Sequence, residues 1–141
     1  MNKNRWILGS MAALVGLGCA VAQVENEAEK SAVSASLAWL ELVDQAEYQE
    51  SWSEAASLFK NAVDESTWVK QISAARQPLG KTLSRRVKST KYMTSVPGAP
   101  DGQYVVIQTE ASFENKKSAV ETITPMLDSD GKWRVSGYYI K

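Results

Sequence analysis

The C-terminal stretch Thr122 to Lys141 constrains the fold more than any other part of the chain. It reads as two strands joined at Asp130-Gly131. An Asp-Gly pair between apolar, alternating runs signals a tight hairpin, because glycine accepts the positive φ that the turn demands. The last run, Trp133 to Ile140, is rich in aromatic residues. A strand this apolar must be covered, and the only amphipathic patterns available for that lie in the first half of the chain.

Working back from the hairpin, Ala119 to Leu127 forms the preceding strand. Pro125 lies near its end, where the missing amide donor suggests an edge or a bulge. Tyr104 to Phe113 is the clearest strand, with Val105, Ile107, Thr109, Ala111 and Phe113 sharing one face. Another strand begins at Lys81, with Leu83, Arg85 and Val87 on one face and Ser84, Arg86 and Lys88 on the other. Five basic residues between Lys81 and Lys91 are read as a solvated strand face in preference to a site for an anionic partner. Tyr92 to Gly102 makes a loop, and its part from Pro97 to Gly102 is dense in turn formers.

The helical patterns precede these strands. After a polar lead-in, Gln23 to Lys30, expected to be frayed, a stripe of Val33, Leu37, Leu40 and Val43 marks a first helix, widened by Trp39, Leu42 and Ala46. A second stripe, Tyr48, Trp52, Ala55, Ala56, Phe59 and Val63, is out of phase with it, so a break falls between Asp44 and Tyr48. Asp64-Glu65-Ser66-Thr67 starts a third helix, carried by Trp68, Ile72 and Ala75 and stopped before Pro78. The expected class is α+β: three N-terminal helices packed on one face of a curved, antiparallel sheet of about four strands.

The N-terminus reads as a signal peptide over residues 1–22. Lys3 and Arg5 precede an apolar run, Trp6 to Cys19, and Ala20-Val21-Ala22 supplies the small residues for cleavage between Ala22 and Gln23. An uncleaved anchor would need roughly 20 strongly apolar residues, and Gly9, Ser10, Gly16 and Gly18 dilute a run that is already shorter. A lipoprotein signal would place leucine three residues before Cys19, where Gly16 stands. Cleavage leaves one secreted domain, 23–141, with no stable membrane insertion. That domain carries 14 basic and 16 acidic residues, without the concentrated basic surplus of a nucleic-acid binder.

Several chemistries fall away. The chain has no histidine, and its one cysteine, Cys19, leaves with the signal. That removes the commonest general base, thiol nucleophiles and the usual zinc ligands. No metal and no other cofactor is expected. Asp128-Ser129-Asp130-Gly131 resembles the start of a calcium loop, but Trp133 and Val135 stand where later oxygen ligands belong. No glycine-rich phosphate loop follows a strand and opens a helix. Serines and lysines are plentiful, yet no spacing selects a Ser-Lys dyad.

Arg85 and Glu121 are the remaining candidates. Each sits mid-strand among apolar neighbours on its own face: Leu83 and Val87 for the arginine, Ala119 and Ile123 for the glutamate. If those faces look toward the helices, both charges are partly buried and must find partners. The pair is then either a structural ion pair that fixes strand register or the polar floor of a pocket lined by Trp133 and Tyr139. The helical spacing of Trp39, Trp52 and Trp68 assigns them to the core ahead of any cavity wall.

A long string of residues also carries a resemblance. Trp39-Leu40-x-Leu42-Val43-Asp44, Tyr48-x-x-Ser51-Trp52-x-x-Ala55-Ala56-x-x-Phe59-Lys60, Trp68, Arg76-x-Pro78-Leu79-Gly80 and Ser84-Arg85 form its first half. Pro97-Gly98-x-Pro100-Asp101-Gly102-x-Tyr104, Phe113, Glu121-Thr122 and Asp130-Gly131-x-Trp133-Arg134-Val135-x-Gly137-Tyr138 complete it. The string resembles the bacterial secreted domain-of-unknown-function family 4019, which brings no established activity. Helices before a curved sheet are similar to the cone-shaped fold of nuclear transport factor two and the ketosteroid isomerases, and fold alone does not imply function. The bacterial resemblance implies that the signal leads to the periplasm. Ala46 stands where the family's pattern has glycine.

Two function classes follow. One is a non-catalytic periplasmic binding or interaction module that holds a small apolar ligand or a partner protein. The other is a ketosteroid-isomerase-like enzyme with a buried carboxylate base. The enzyme requires an Asp or Glu and a Tyr converging on an open apolar pocket; the module does not.

Overall fold

The computed structural model describes residues 16–141. The charged and early apolar parts of the expected signal, including Lys3, Arg5 and Trp6, lie outside the described residues. Four α-helices come first: α1 (Gly16–Asp44), α2 (Tyr48–Ser53), α3 (Ser57–Ala62) and α4 (Glu65–Arg76). A 3₁₀ turn, Gln77–Leu79, leads into strands β1 (Thr82–Met93), β2 (Tyr104–Phe113), β3 (Lys116–Leu127) and β4 (Trp133–Ile140). The strands form an open antiparallel sheet in the order β1-β2-β3-β4. The class is α+β, as the alternation and the helical stripes require.

The helix count differs from three. Ala55 and Ala56 are strong helix formers, and nothing local interrupts the stripe there. A tertiary bond interrupts it. Ala56 takes an extended conformation and donates its N–H to the Val135 carbonyl of β4 at 2.8 Å. The second stripe therefore divides into α2 and α3. Asp128 replaces the missing cap of α3, accepting from the Ser57 N–H and hydroxyl at 3.1 Å each.

The polar lead-in is not frayed. Helix α1 runs through it, and the expected cleavage point between Ala22 and Gln23 falls within α1. Residues 18–27 are all exposed, so cleavage there would remove no buried side chain among the described residues. The buried face of α1 begins at Ala28 and continues through Ala32, Ser36, Trp39, Leu40 and Val43. Leu37, expected on that face, is 41% exposed. Small residues occupy the inner line instead, which lets the helix lie close to the sheet.

The break between α1 and α2 falls where the phase change put it. Ala46 closes the turn with φ 60°, and the Glu47 N–H donates to the Leu42 carbonyl. The left-handed region is strained for alanine, by roughly 1 kcal/mol. At the other end of the chain, Gly131 has φ 81° in the β3–β4 turn.

The larger of two cores among the described residues lies between the helices and the sheet, and a smaller one gathers Ala111, Phe113 and Ala119. Trp39, Leu40, Val43, Trp68 and Ile72 from the helices meet Val105, Ile107, Ile123 and Val135 from the strands. The tryptophans are anchored as well as packed. Trp39 Nε1 donates to the Ser51 carbonyl, Trp68 Nε1 to the Ser51 hydroxyl, and Trp52 Nε1 to the Val63 carbonyl. Aromatic pairs link Trp39 to Trp68 at 5.9 Å and Phe59 to Trp68 at 4.9 Å, each worth about 1 kcal/mol beyond burial.

Candidate functional site

Glu121 occupies the centre of β3 on the covered face, and it is fully buried. A buried carboxylate must be paired and hydrogen-bonded to persist. Arg85 on β1 supplies the charge: Nε donates to Oε1 at 2.6 Å and Nη2 to Oε2 at 3.1 Å. Thr109, between them on β2, donates its hydroxyl to Oε1 at 2.9 Å. Tyr138 on β4 donates to Oε2 at 2.6 Å. One glutamate thus gathers donors from the other three strands.

The other side of Arg85 meets Asp44, the last residue of α1. Nη1 reaches Oδ2 at 2.7 Å and Nη2 reaches Oδ1 at 2.9 Å. Asp44 also accepts from Arg76 Nη2 at 2.7 Å and from the Thr82 hydroxyl at 2.9 Å. Arg76, buried at the end of α4, lies over the Phe113 ring with its guanidinium carbon 4.9 Å from the centroid. Its Nε and Nη1 have no hydrogen-bond partner. Two guanidinium groups and two carboxylates form one chain of charge: Arg76, Asp44, Arg85, Glu121.

The electrostatics follow from this arrangement. Burial works to raise the Asp44 carboxyl, but the bonds from Arg85 and Arg76 outweigh it and hold Asp44 below the ordinary aspartate range. Burial works to lower the Arg85 guanidinium, and the two carboxylates reverse that and raise it. Tyr138 is pushed up, first by burial and then by the Glu121 carboxylate. Its hydroxyl stays a donor at any ordinary pH.

The sequence brought Arg85 and Glu121 together by alternation, and they meet, but the local geometry differs in two places. A bulge between Thr82 and Ser84 throws Leu83 off the face of Arg85, leaving it 64% exposed. Thr82 faces inward in its place. A second bulge, opposite Pro125 in the β3–β4 pairing, inverts the end of β4. Tyr138 therefore points inward to Glu121, while Tyr139, expected to line the pocket, is 57% exposed. Pro125 was the available signal for this second bulge.

Trp133 is half-buried, away from Glu121. It lines an open groove of about 480 Å³ with Trp39, Leu42, Glu50 and Glu54. It does not share a cavity with Arg85. Asp44 and Arg76 were missed as partners. Arg76 follows Trp68 and Ile72 at steps of four, which puts it on the buried face of α4.

The acidic turn is spent on structure. Arg134 holds Asp130 through two bonds of 2.7 Å each and reaches Asp128 at 3.3 Å. Among the described residues, no group of three or more acidic, cysteine or histidine side chains is placed to hold a metal ion. Among them too, no helix is long and apolar enough to cross a membrane.

Residues 35–138 match the family described as a protein of unknown function, DUF4019. The chain belongs to this family. The match contains all four members of the charged chain and Tyr138. No curated protein matches. No solved structure matches either, so the likeness to the nuclear transport factor two cone gains no support from known folds.

Proposed function

We propose that this DUF4019 domain is a non-catalytic interaction module, exported by residues 1–22 and working in the periplasm on a partner protein. The observation that carries the reading is the occupancy of Glu121. A carboxylate base needs a free lone pair facing a substrate. Both oxygens of Glu121 are already occupied, by Arg85, Thr109 and Tyr138, and the side chain has no exposed surface. The ketosteroid-isomerase alternative asks for the same residue in an open apolar pocket.

The choice between a small apolar ligand and a partner protein rests on how the interior is filled. Tyr138 and Trp39 pack against each other between helices and sheet, ring centroids 5.6 Å apart and planes tilted by 58°, and fill the space where a small ligand would be enclosed. The recesses around Asp44 and around Trp133 open to solvent. Open grooves suit polypeptide better than a small apolar molecule, which binds where most of its surface can be enclosed.

Native mass spectrometry of the protein released gently from the periplasm tests this reading. The expected spectrum holds the chain starting at Gln23, with or without a second polypeptide. A stoichiometric small molecule that Glu121→Gln fails to retain would overturn it.

A further inference from the structure

The two edges of the sheet are not treated alike. β4 is covered: Ala56 pairs with its backbone, and α1 and α3 pack along it. β1 is the opposite edge, and among the described residues no strand other than β2 pairs with it. Glu29 of α1 shields its far end, accepting from the Tyr92 N–H and the Thr90 hydroxyl. Glu114 closes the near end, accepting from the Lys81 N–H and donating its own N–H to the Lys81 carbonyl. The stretch from Leu83 to Ser89, with bulges at Leu83 and Lys88, has no such cover.

Beside this open stretch runs a groove of about 760 Å³, bounded by Leu37, Ala38 and Glu41 of α1 and by Lys81 to Arg85. Leu37 and Leu83, the two leucines displaced from their expected faces, are exposed and line it. The charge is uneven too. Residues 23–76 hold 10 acidic and 4 basic side chains, whereas 77–141 hold 10 basic and 6 acidic. β1 itself has Arg85, Arg86, Lys88 and Lys91 and no acidic residue. Arg86 and Lys88 share a single carboxylate, Glu110.

An unpaired edge offers alternate N–H and C=O groups to an added strand, while side-chain positions on either side set which strand is accepted. We infer that the Leu83–Ser89 edge of β1 takes an extended, acidic segment of a partner protein as a fifth strand. Its acidic side chains lie over Arg86 and Lys88, and its apolar ones lie in the groove against Leu37 and Leu83. A second copy of the chain is the wrong occupant. Two β1 strands paired about a two-fold axis would set basic residues against basic residues, which is unfavourable across strands. Lysines on an edge deter such self-pairing and leave an oppositely charged strand free to add.

This inference rests on the interaction-module reading and names the surface and the partner chemistry. The test is a titration of the labelled protein, followed by backbone amide NMR, with two blocked peptides of about eight residues, the length of an ordinary strand. One alternates valine with glutamate and the other valine with lysine. The expected result is saturable shifts at Leu83 to Ser89 and at Leu37 to Glu41. The glutamate peptide should bind at least about tenfold more tightly, since several exposed ion pairs of modest strength change sign together. Leu83→Glu and Lys88→Glu should each weaken it several-fold without moving the unfolding midpoint, because both side chains are exposed. Equal binding of the two peptides, shifts centred on Trp133 or the outer sheet face, no saturable shift, or dimerisation through β1 would overturn the inference. If the peptides fail while native mass spectrometry still yields a polypeptide partner, the edge assignment falls alone. A stoichiometric small molecule that Glu121→Gln fails to retain would remove both readings.

Discussion

Replacing Arg85 with methionine should be among the most damaging single changes available to this domain. Methionine keeps much of the arginine stem's volume, so packing changes little and the loss is electrostatic. Glu121 is left fully buried with only two neutral donors, Thr109 and Tyr138. Orphaning a buried partner in this way costs about 3–5 kcal/mol. Asp44 loses two bonds but keeps Arg76 and Thr82, which adds little to the cost. Glu121→Gln should cost less, about 2–3 kcal/mol, because Arg85 retains Asp44 while its bonds to a charged acceptor are lost. The double variant orphans no charge at Glu121, and its cost should fall short of the sum by about 1–3 kcal/mol. Urea unfolding of the four proteins measures this cycle, with stability read from midpoints at unchanged slope. Small and additive effects, each below about 1 kcal/mol, would refute the reasoning, since they would mean that the two side chains do not share a buried bond.

Three further outcomes follow from particular residues. Ala46→Gly should stabilise the protein by about 0.5–1 kcal/mol, because glycine relieves the positive φ at the end of α1; a lower unfolding midpoint would contradict that. Gly131→Val should cost about 1–2 kcal/mol from backbone strain alone, since an added Cβ there meets nothing within 4 Å, and an unchanged midpoint would count against the turn. The Asp44 carboxyl lies below its ordinary value of 3.8 in the folded protein, so its contribution is fully present above that pH and is lost as pH falls through the folded value. Asp44→Asn should therefore flatten the loss of stability below about pH 4, read from midpoints across an acid series; a parallel acid limb in the two proteins would contradict the depressed value.

The parts of the fold that obey local rules were legible in the sequence. Alternation placed the four strands, the stripe's change of phase placed the break before Tyr48, and Asp130-Gly131 placed the last turn. The departures all come from contacts between distant residues. Ala56 leaves its helix to pair with Val135, and two bulges re-aim Leu83 and Tyr138. A bulge shifts every later side chain to the other face, so one unseen residue exchanged Tyr139 for Tyr138. The ion pair was visible because charge amid apolar alternation demands a partner. Its extension to Asp44 and Arg76 was hidden, because those residues sit at helix ends, where charge ordinarily faces water.

The central claim is that Glu121 is locked into the fold and is unavailable as a base. Proton exchange at Arg85 Nε–H and at the Tyr138 hydroxyl, followed by NMR in the unliganded protein, tests it most directly. Both donor atoms lie 2.6 Å from a Glu121 oxygen. Both protons should be visible, shifted downfield and slow to exchange with water, opening only with the rest of the core. Exchange at the rate of a free side chain would show a carboxylate open to solvent, and the non-catalytic reading would fail with it.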